Sequence, residues 1–482
     1  MNPHVKPYLQ KIKKKRIHVI GASGAEGAAI IEFLVDHALK NITAHDFQPD
    51  LPAFRKAFKQ THPTLAATDR VKILRKISSS PVKLCLKKDY LNNIEQAELI
   101  FLSQGWYLYP PNLPIIPNLI KKGSKISSLT KLYLDLIPGI TIGVTGSKGK
   151  STTTALIDAI LHLAKKPVFT SGNIREIHQQ LLPRIDQLTK KDIVVLEISN
   201  RQLTVDLGKS PHLAVITNIL PDHIEEHGSY QQYRQIKQKI FQYQTKSDII
   251  VLNYDNQITR HLAKNANSKV VFFSTKNTSK ADVYIKKNVI FYQQKELFDI
   301  RDIQLPGQHN LANVLAAIAA TMQLHVKPDI IHQAIKQFAG IPHRLEHVAT
   351  INGVKYYDDL KSTIPLSTCR AIEYFASANI HLIVGGDHKN TKLGLLAKII
   401  NKFVTNLYTL PGTTTDELLN ELKIINSQVK IHPYHDIKSL IKKVQHNARP
   451  HDIVLLSPAG AHFQEKYLEN KYSFKKLIIS PR

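Results

Sequence analysis

An α/β fold in three successive domains is predicted by three observations. Glycine-rich turns separate apolar strand-like runs from helix-like runs at three places. Gly21, Gly24 and Gly27 follow Arg16–Ile20, Gly146 and Gly149 follow the apolar run Pro138–Val144, and Gly385 and Gly386 follow Ile380–Val384. Strands then alternate with helices, which implies parallel sheets covered on both faces. The length of 482 residues suits two to four domains, each able to bury its own core. Boundaries are expected at 1–137, 138–340 and 341–482.

The first domain opens with the strand Arg16–Ile20, a G-x-x-G-x-x-G turn and a helical pattern to about Leu39. A second short strand, Asn41–His45, ends at Asp46. This is the outline of a Rossmann-like βαβ unit. A glycine turn carrying Ser23 and Gly24 meets a helix N-terminus, and a carboxylate follows that is suited to a ribose hydroxyl. The strand Ala97–Leu102 runs into Ser103-Gln104-Gly105, another candidate phosphate or base loop. The uncharged run Leu99–Ile120 has the length of a membrane span, but Pro110, Pro111, Pro114 and Pro117 interrupt it, so strand and then loop is expected.

The second domain carries GVTGSKGKSTTT, Gly143 to Thr154. Backbone N–H groups of such a loop face phosphate oxygens, Lys150 adds a point charge, and the Ser151 hydroxyl suits a Mg²⁺ site. Gly146, Ser147, Lys148, Gly149 and Thr152 complete a nucleoside-triphosphate loop, and a P-loop ATPase domain with a parallel sheet follows from it. The spacing is unusual. In G-x-x-x-x-G-K-[ST] the first glycine falls at Val144, whereas here it is Gly146, giving T-G-x-x-G-K-S. The alternative is a glycine turn before an ordinary surface helix. Glu197, at the end of the strand Ile193–Ile198, is placed to hold Mg²⁺, the alternative being a capping or surface glutamate. His223, in Asp222-His223 after the strand Leu213–Thr217, suits a second metal or a substrate, or is one loop histidine among 23. Lys237, in a helical stretch Ser229–Gln244, reads by itself as an exposed lysine. Asn310, opening a helix, suits either an adenine edge or an N-cap.

The third domain starts at Ile341-Pro342-His343-Arg344, with strands Lys355–Tyr357, Ile380–Val384 and Ile453–Leu456 in a second Rossmann-like pattern. Ligand loops belong at strand C-termini, here Gly385-Gly386-Asp387 and Ser457-Pro458-Ala459-Gly460. Arg344 and Lys361 offer positive charge to a triphosphate.

A net charge of +27 permits a nucleic-acid partner, yet only Lys11–Arg16 forms a tight basic run and no RNA-recognition or zinc-finger pattern occurs. Anionic small substrates, or lysine-rich composition alone, account for the balance, and neither nucleic acid nor membrane is expected as a partner. The first sixteen residues lack an apolar signal core, and Cys85 and Cys369 form no disulfide pattern, so a reducing, cytoplasmic setting is expected.

The motifs form an ordered series: GVTGSKGKSTTT, SGNI, LEIS..QL, DH, YRQIK, PGQHN, PHRLE, DLKST, GGDHK and LLSPAGA. The series resembles the Mur ligase family, and within it the branch that adds glutamate to UDP-N-acetylmuramoyl-L-alanine. The likeness runs from about Arg16 to the C-terminus and is densest from Pro138 to Thr363. The T-G-x-x-G-K-S spacing is the form this family uses. The resemblance implies ATP-dependent amide ligation through an acyl phosphate, with two Mg²⁺ sites, in peptidoglycan precursor synthesis. It implies Ser151 and Glu197 on the first Mg²⁺, His223 on the second, and a carbamate on Lys237. Asn173 would meet the muramoyl substrate or the metal shell, with Ser23, Gly24, Asp46 and Ser103 also on the substrate side. Asn310 and Arg344 would hold the nucleotide with Asp359 at its ribose, and Lys361, Thr363 and Lys389 would line the amino acid and phosphoryl site. A monomer is expected.

Lys237 separates the chain from the branch adding the first alanine, and the early βαβ unit separates it from those adding the third residue or the terminal dipeptide. Four positions depart from the family pattern. Arg175 replaces glycine, Gln104 replaces the proline of a Ser-Pro-Gly turn, and Arg201 replaces an aromatic residue. His462 replaces the serine that grips the glutamate side-chain carboxylate, with Tyr467 as the aromatic partner. A different acceptor, such as L-glutamate or another amino acid, therefore stays open. A nicotinamide-dependent dehydrogenase built on GASGAEG and a basic nucleic-acid-binding NTPase are the readings from other classes.

Overall fold

The computed structural model describes residues 3–62, 65–174, 179–222, 224–305, 308–387, 392–468 and 474–479. The chain divides into two compact units, Met1–Phe338 and Ala339–Arg482. The first unit holds two sheets and the second holds one.

The first sheet contains β1 (Ile17–Ile20), β2 (Ile42–His45), β3 (Val82–Cys85), β4 (Leu99–Leu102) and β5 (Lys125–Ser127) in the order β3-β2-β1-β4-β5. All pairs are parallel. Every residue of β1 and β4 is buried, as expected for strands covered on both faces. The strand order reverses between β1 and β4, so their carboxyl ends frame a crevice of the kind that binds ligands in open α/β sheets. The glycine turn and Ser103 lie at those ends. Gly21 adopts φ +86°, and a Cβ at Gly27 would run into the Gly21 carbonyl, so the helix Ala25–Asp36 can start close beneath β1.

After β4 the structure corrects the expected loop. A short 3₁₀ turn, Trp106–Leu108, leads into a helix, Asn112–Lys121. Pro110 and Pro111 precede that helix and Pro114 falls in its first turn, where an N–H has no intrahelical partner to lose. Only Pro117 is interior, and burial of Ile116 and Leu119 offsets its missing hydrogen bond.

The second sheet contains β6 (Ile140–Thr145), β7 (Val168–Gly172), β8 (Ile193–Glu197), β9 (Leu213–Ile216), β10 (Ile249–Asn253), β11 (Lys269–Ser274), β12 (Val283–Lys286), β13 (Val289–Tyr292) and β14 (Lys295–Asp299). Its order is β14-β13-β12-β11-β10-β9-β6-β8-β7. The sheet is parallel from β7 to β12 and antiparallel from β12 to β14, so the expected all-parallel sheet gains a hairpin edge. Both tight turns of that edge are built without glycine: Lys287 and Asn288 have φ 50° and 66°, and Gln293 and Gln294 have φ 46° and 69°. Two positive φ values mark the primed hairpin turn, whose usual sequence sign is Asn-Gly or Asp-Gly. The helices Lys150–Leu163 and Gln308–Met322 pack on the sheet and on each other, burying Leu156, Ile160, Val314 and Ile318.

The second unit contains β15 (Glu346–Ile351), β16 (Val354–Asp358), β17 (Ile380–Gly385), β18 (Val404–Thr409), β19 (Lys430–Pro433) and β20 (Ile453–Ala459) in the order β15-β16-β20-β17-β18-β19. Among the described strands of this sheet only the β15–β16 hairpin is antiparallel. Its turn is Asn352-Gly353, the usual primed-turn pair, with φ 50° and 78°. The loops after β16, β17 and β20 emerge at the same sheet edge. Among the described residues no helix is long and apolar enough to cross a membrane.

Candidate active site

The loop between β6 and the helix Lys150–Leu163 is held by its neighbours. Gly146 and Gly149 adopt φ +149° and +86°, and a Cβ on either would collide with Thr217 Oγ1 or Asn313 Oδ1. Glycine is therefore required at both positions by backbone conformation and by space. The Asn218 carbonyl accepts from Ser147 N at 2.9 Å, and Asn218 Oδ1 accepts from Lys148 N at 3.0 Å. Ser147 is buried, and its hydroxyl accepts from Leu220 N at 2.9 Å and lies 3.0 Å from the Tyr233 hydroxyl. Ser147 thus braces the loop with both its N–H and its side chain, where the sequence placed it among nucleotide contacts. Lys150 donates to the carbonyls of Gly146 at 2.9 Å and Ser147 at 3.2 Å, curling over the loop. Ser151 and Thr152 are half-buried in the helix's first turn. Asn310 Oδ1 accepts from Asn313 Nδ2 at 3.0 Å, which ties the second helix's start to this loop. Asn313 was missed in the sequence; its one sign is helical spacing from Asn310.

Behind the loop lie Glu197 and Lys237. Glu197 ends β8 and is 2% exposed; its Oε1 accepts from Asn173 Nδ2 at 3.2 Å, while its buried Oε2 has no hydrogen-bond partner among the described residues. An orphaned carboxylate oxygen is the donor that a hard cation takes. Lys237 overturns its sequence reading as an exposed lysine, for it is 0% exposed. Its Nζ donates to Thr145 Oγ1 at 3.0 Å and lies 5.5 Å from the Tyr233 ring centroid. Burial, and then the nearby Lys150 charge, hold the amine's pKa well below the usual lysine range, against the opposing pull of Glu197 and Asp222. Asp222 accepts from Lys148 Nζ at 3.0 Å. His223 lies outside the described residues.

At the first sheet's crevice, Asp46 is 4% exposed. Its carboxylate accepts from Ser23 N at 2.7 Å and from Gln48 N at 3.2 Å, so it closes the glycine turn from inside. Gly24 is the N-cap of the following helix, and Ser103 Oγ lies against Gly21. Arg201, in place of an aromatic residue, pairs with Glu226 through Nε at 3.1 Å and Nη2 at 2.5 Å, and Tyr107 donates to the same carboxylate at 2.9 Å.

In the second unit, Asp359 is 5% exposed and accepts from Ser457 Oγ at 2.8 Å and Leu345 N at 3.2 Å. Burial pushes its pKa up to about 6, against the hydrogen bonds that favour the carboxylate. His343 Nδ1 pairs with Asp358 at 2.8 Å, which raises the imidazole's pKa, and the His343 backbone N–H donates to Glu346 at 2.9 Å. Arg344 and Lys361 are exposed beside this turn, and Lys361 N donates to the His343 carbonyl at 3.2 Å. Thr363 N donates to the Lys361 carbonyl at 2.9 Å. His462, at φ 60°, stands 3.4 Å from Asp387, which also accepts from Lys466 Nζ at 2.8 Å. Tyr467 donates to the Pro411 carbonyl and packs on Phe463. Lys389 lies outside the described residues.

The Mur ligase middle domain model matches residues 144–321, and the Mur ligase glutamate ligase domain model matches residues 343–460. The UDP-N-acetylmuramoylalanine--D-glutamate ligases of Acetivibrio thermocellus and Ruminiclostridium cellulolyticum are 31% and 32% identical to it, over 495 and 496 residues. These likenesses cover 100% and 99% of this chain and 99% of each relative. The chain belongs to the Mur ligase family. Among solved structures, this Mur ligase shares its fold with UDP-N-acetylmuramate-alanine ligase of Thermotoga maritima, at TM-score 0.53 and 18% identity, covering 92% of this chain and 96% of that one. It likewise shares the fold of MurF from Acinetobacter baumannii, at TM-score 0.55 and 15% identity, covering 95% and 96%. The middle-domain match includes the phosphate loop, Glu197, Lys237 and Asn310, whereas His462 and Tyr467 fall beyond the second match.

Proposed function

We propose that this Mur ligase joins glutamate, in its D form, to UDP-N-acetylmuramoyl-L-alanine with ATP, extending a peptidoglycan precursor. The observation that carries the reading is the set formed by Gly146, Lys150, Glu197 and the buried Lys237 within a chain alike over its full length to D-glutamate ligases. The nucleotide-linked substrate is assigned to 1–137 with Asn173, ATP to 138–340, and the amino acid to 341–482.

In the first step a substrate carboxylate oxygen attacks the γ-phosphorus of ATP, the bond to the bridging oxygen breaks, and ADP leaves. Two anions must approach, so Lys150 and the helix N-terminus offset charge that grows on the transferring phosphoryl group. In the second step the amino group attacks the acyl phosphate, and the tetrahedral intermediate collapses to amide and phosphate with loss of a proton. Arg344, with Asp359 at the ribose, serves ATP; Lys361, Thr363, Lys389, His462 and Tyr467 serve the amino acid.

Mg²⁺ supplies charge neutralisation to phosphate oxygens in this family. The orphaned Glu197 Oε2 fits such an ion, with Ser151 as its companion ligand, and His223 with Lys237 would hold a second. Lys237 suits that place only as an anion. A neutral buried amine adds to CO₂ through its nitrogen, releasing a proton and leaving a carbamate oxygen donor; the lowered pKa of Lys237 favours that neutral amine.

Phosphate release measured with UDP-N-acetylmuramoyl-L-alanine and a panel of amino acids tests the reading, with D-glutamate expected to give the highest kcat/KM. No release with any amino acid, from folded protein, overturns the ligase reading. Release only with another amino acid moves the acceptor, which the exchange of serine for His462 makes the second reading.

A further inference from the structure

The candidate reaction leaves one carboxyl group of the first crevice unused. Glu26 lies in the first turn of the helix Ala25–Asp36, directly after the glycine turn. Its Oε2 accepts from Gln104 N at 2.6 Å, and its Oε1 accepts from Gln202 Nε2 at 3.0 Å. Gln202 Oε1 in turn accepts from Ser199 N at 2.9 Å, and the Ser199 hydroxyl lies 3.2 Å from that oxygen and 3.3 Å from Gln104 Oε1. The contacts close a ring: Glu26, Gln104, Ser199, Gln202 and back to Glu26.

The ring joins two places that a long substrate must span. Gln104 belongs to the loop after β4, at the crevice of the first sheet, while Ser199 and Gln202 follow β8, two and five residues beyond Glu197. Glu26 is the member that bonds directly to both sides. Its partner N–H is a backbone group that any residue but proline supplies at 104. Burial raises the pKa of the Glu26 carboxyl. That cost is met here by two directed hydrogen bonds rather than by a cation.

We propose that Glu26 is a positioning residue that sets the span between the crevice of the first sheet and the Glu197 end of β8, and so the grip on the UDP-linked substrate. The inference rests on the ligase reading above. It assigns Glu26 no contact with reacting atoms. Removing the carboxyl leaves Gln104 N–H and Gln202 Nε2 without their acceptor and leaves the 3.3 Å contact of the Ser199 hydroxyl with Gln104 Oε1 as the ring's one remaining tie between the two loops. The nucleotide end and the acyl end of one substrate then no longer meet their partners together, whereas ATP, held at Gly146–Ser151, is indifferent to the change.

The experiment is a steady-state comparison of wild type, Glu26→Ala, Glu26→Gln and the double variant Glu26→Ala/Gln104→Pro, with UDP-N-acetylmuramoyl-L-alanine and ATP varied in turn. Glu26→Ala is expected to raise KM for the muramoyl nucleotide about tenfold, the size of a lost charged hydrogen bond, with KM for ATP within about twofold. Glu26→Gln, which keeps one acceptor oxygen, is expected to fall between wild type and Glu26→Ala. The double variant is expected to be no better than Glu26→Ala, because proline removes the orphaned donor but restores no tie and takes away the Gln104 Oε1 contact with Ser199. Equal nucleotide KM in wild type and both single variants overturns the proposal. So does equal damage to both KM values, or a double variant with the wild-type nucleotide KM, which traces the loss to the orphaned donor and not to the tie. Should Glu26→Ala fail to fold, Glu26→Gln decides by the same split. Failure of the ligase reading shows separately, as absence of turnover in the wild type.

Discussion

The two glycine turns of the first unit look alike in the chain and differ in charge. Each leads from a buried parallel strand into a helix N-terminus, with positive-φ glycine (Gly21 in the first, Gly146 and Gly149 in the second) and a neighbour pressed against the backbone. In Gly21–Gly27, one protein carboxylate already accepts from the turn. Asp46 accepts from the turn's Ser23 N–H, and Glu26 sits in the helix's first turn. In Gly146–Ser151 the bracing acceptors are neutral, an Asn218 carbonyl and amide oxygen, and the side chains added are Lys148 and Lys150. A helix N-terminus attracts negative charge in both cases. The difference teaches that the glycine turn supplies shape, while the surrounding charges decide whether a phosphate or the protein's own carboxylate occupies it.

Breaking the second region should cost most. Lys237→Ala is expected to reduce ligation by about 10³-fold or more, in line with loss of a preorganised charge at a phosphoryl-transfer site, measured as phosphate release at saturating substrates. Normal turnover in that variant removes Lys237 from the site. Gly149→Ala is expected next, lowering kcat/KM for ATP about 100-fold, because its Cβ meets Asn313 in a backbone conformation that alanine resists. Its KM for the muramoyl nucleotide should hold within about twofold; an equal rise in both would mean the two turns are one site.

The first region should answer in the opposite sense. Asp46→Ala is expected to raise KM for the muramoyl nucleotide about tenfold by freeing the Ser23 N–H, with KM for ATP little changed. An unchanged nucleotide KM would make Asp46 a fold residue only. The smallest effect concerns acid stability. His45 Nδ1 accepts from Leu91 N at 3.2 Å, so its proton sits on Nε2, which donates to His18 Nδ1 at 2.8 Å. Burial lowers the pKa values of His18 and His45 to about 4 and about 3. The unfolded chain therefore binds more protons than the folded one below the ordinary histidine pKa of about 6.5. The pair's contribution is fully present above that pH and is lost as pH falls toward 4. Urea unfolding from pH 7 to 4.5 should show this slope, and His18→Val/His45→Val should flatten it; an unflattened slope places the acid sensitivity elsewhere.

Much of the site was legible because its residues are obligatory. No other side chain suits Gly146 or Gly149, and Lys150 and Ser151 follow at a spacing that the helix start dictates. Lys237 was legible only through family likeness, since a helix pattern does not tell how deeply one lysine is buried. The β12–β14 edge was missed because Lys287-Asn288 and Gln293-Gln294 adopt positive φ without glycine. The helix Asn112–Lys121 was missed because prolines mark a break only where an N–H is needed, and three of the four precede that need. Glu26 carried no signal in the chain, since its partners are 78 and 176 residues away.

What the sequence determined by itself is the set of local shapes: strand, glycine turn and helix, with the phosphate-binding chemistry that Gly146, Gly149, Lys150 and Ser151 can supply. Those depend on backbone conformation and near neighbours, which a string of residues contains. Only the tertiary structure decided the electrostatics. It buried Lys237 beside Lys150, left Glu197 Oε2 without a partner, and turned Asp46 and Glu26 toward protein N–H groups. Desolvation and charge proximity depend on distances between elements far apart in the chain, and folding alone sets those distances.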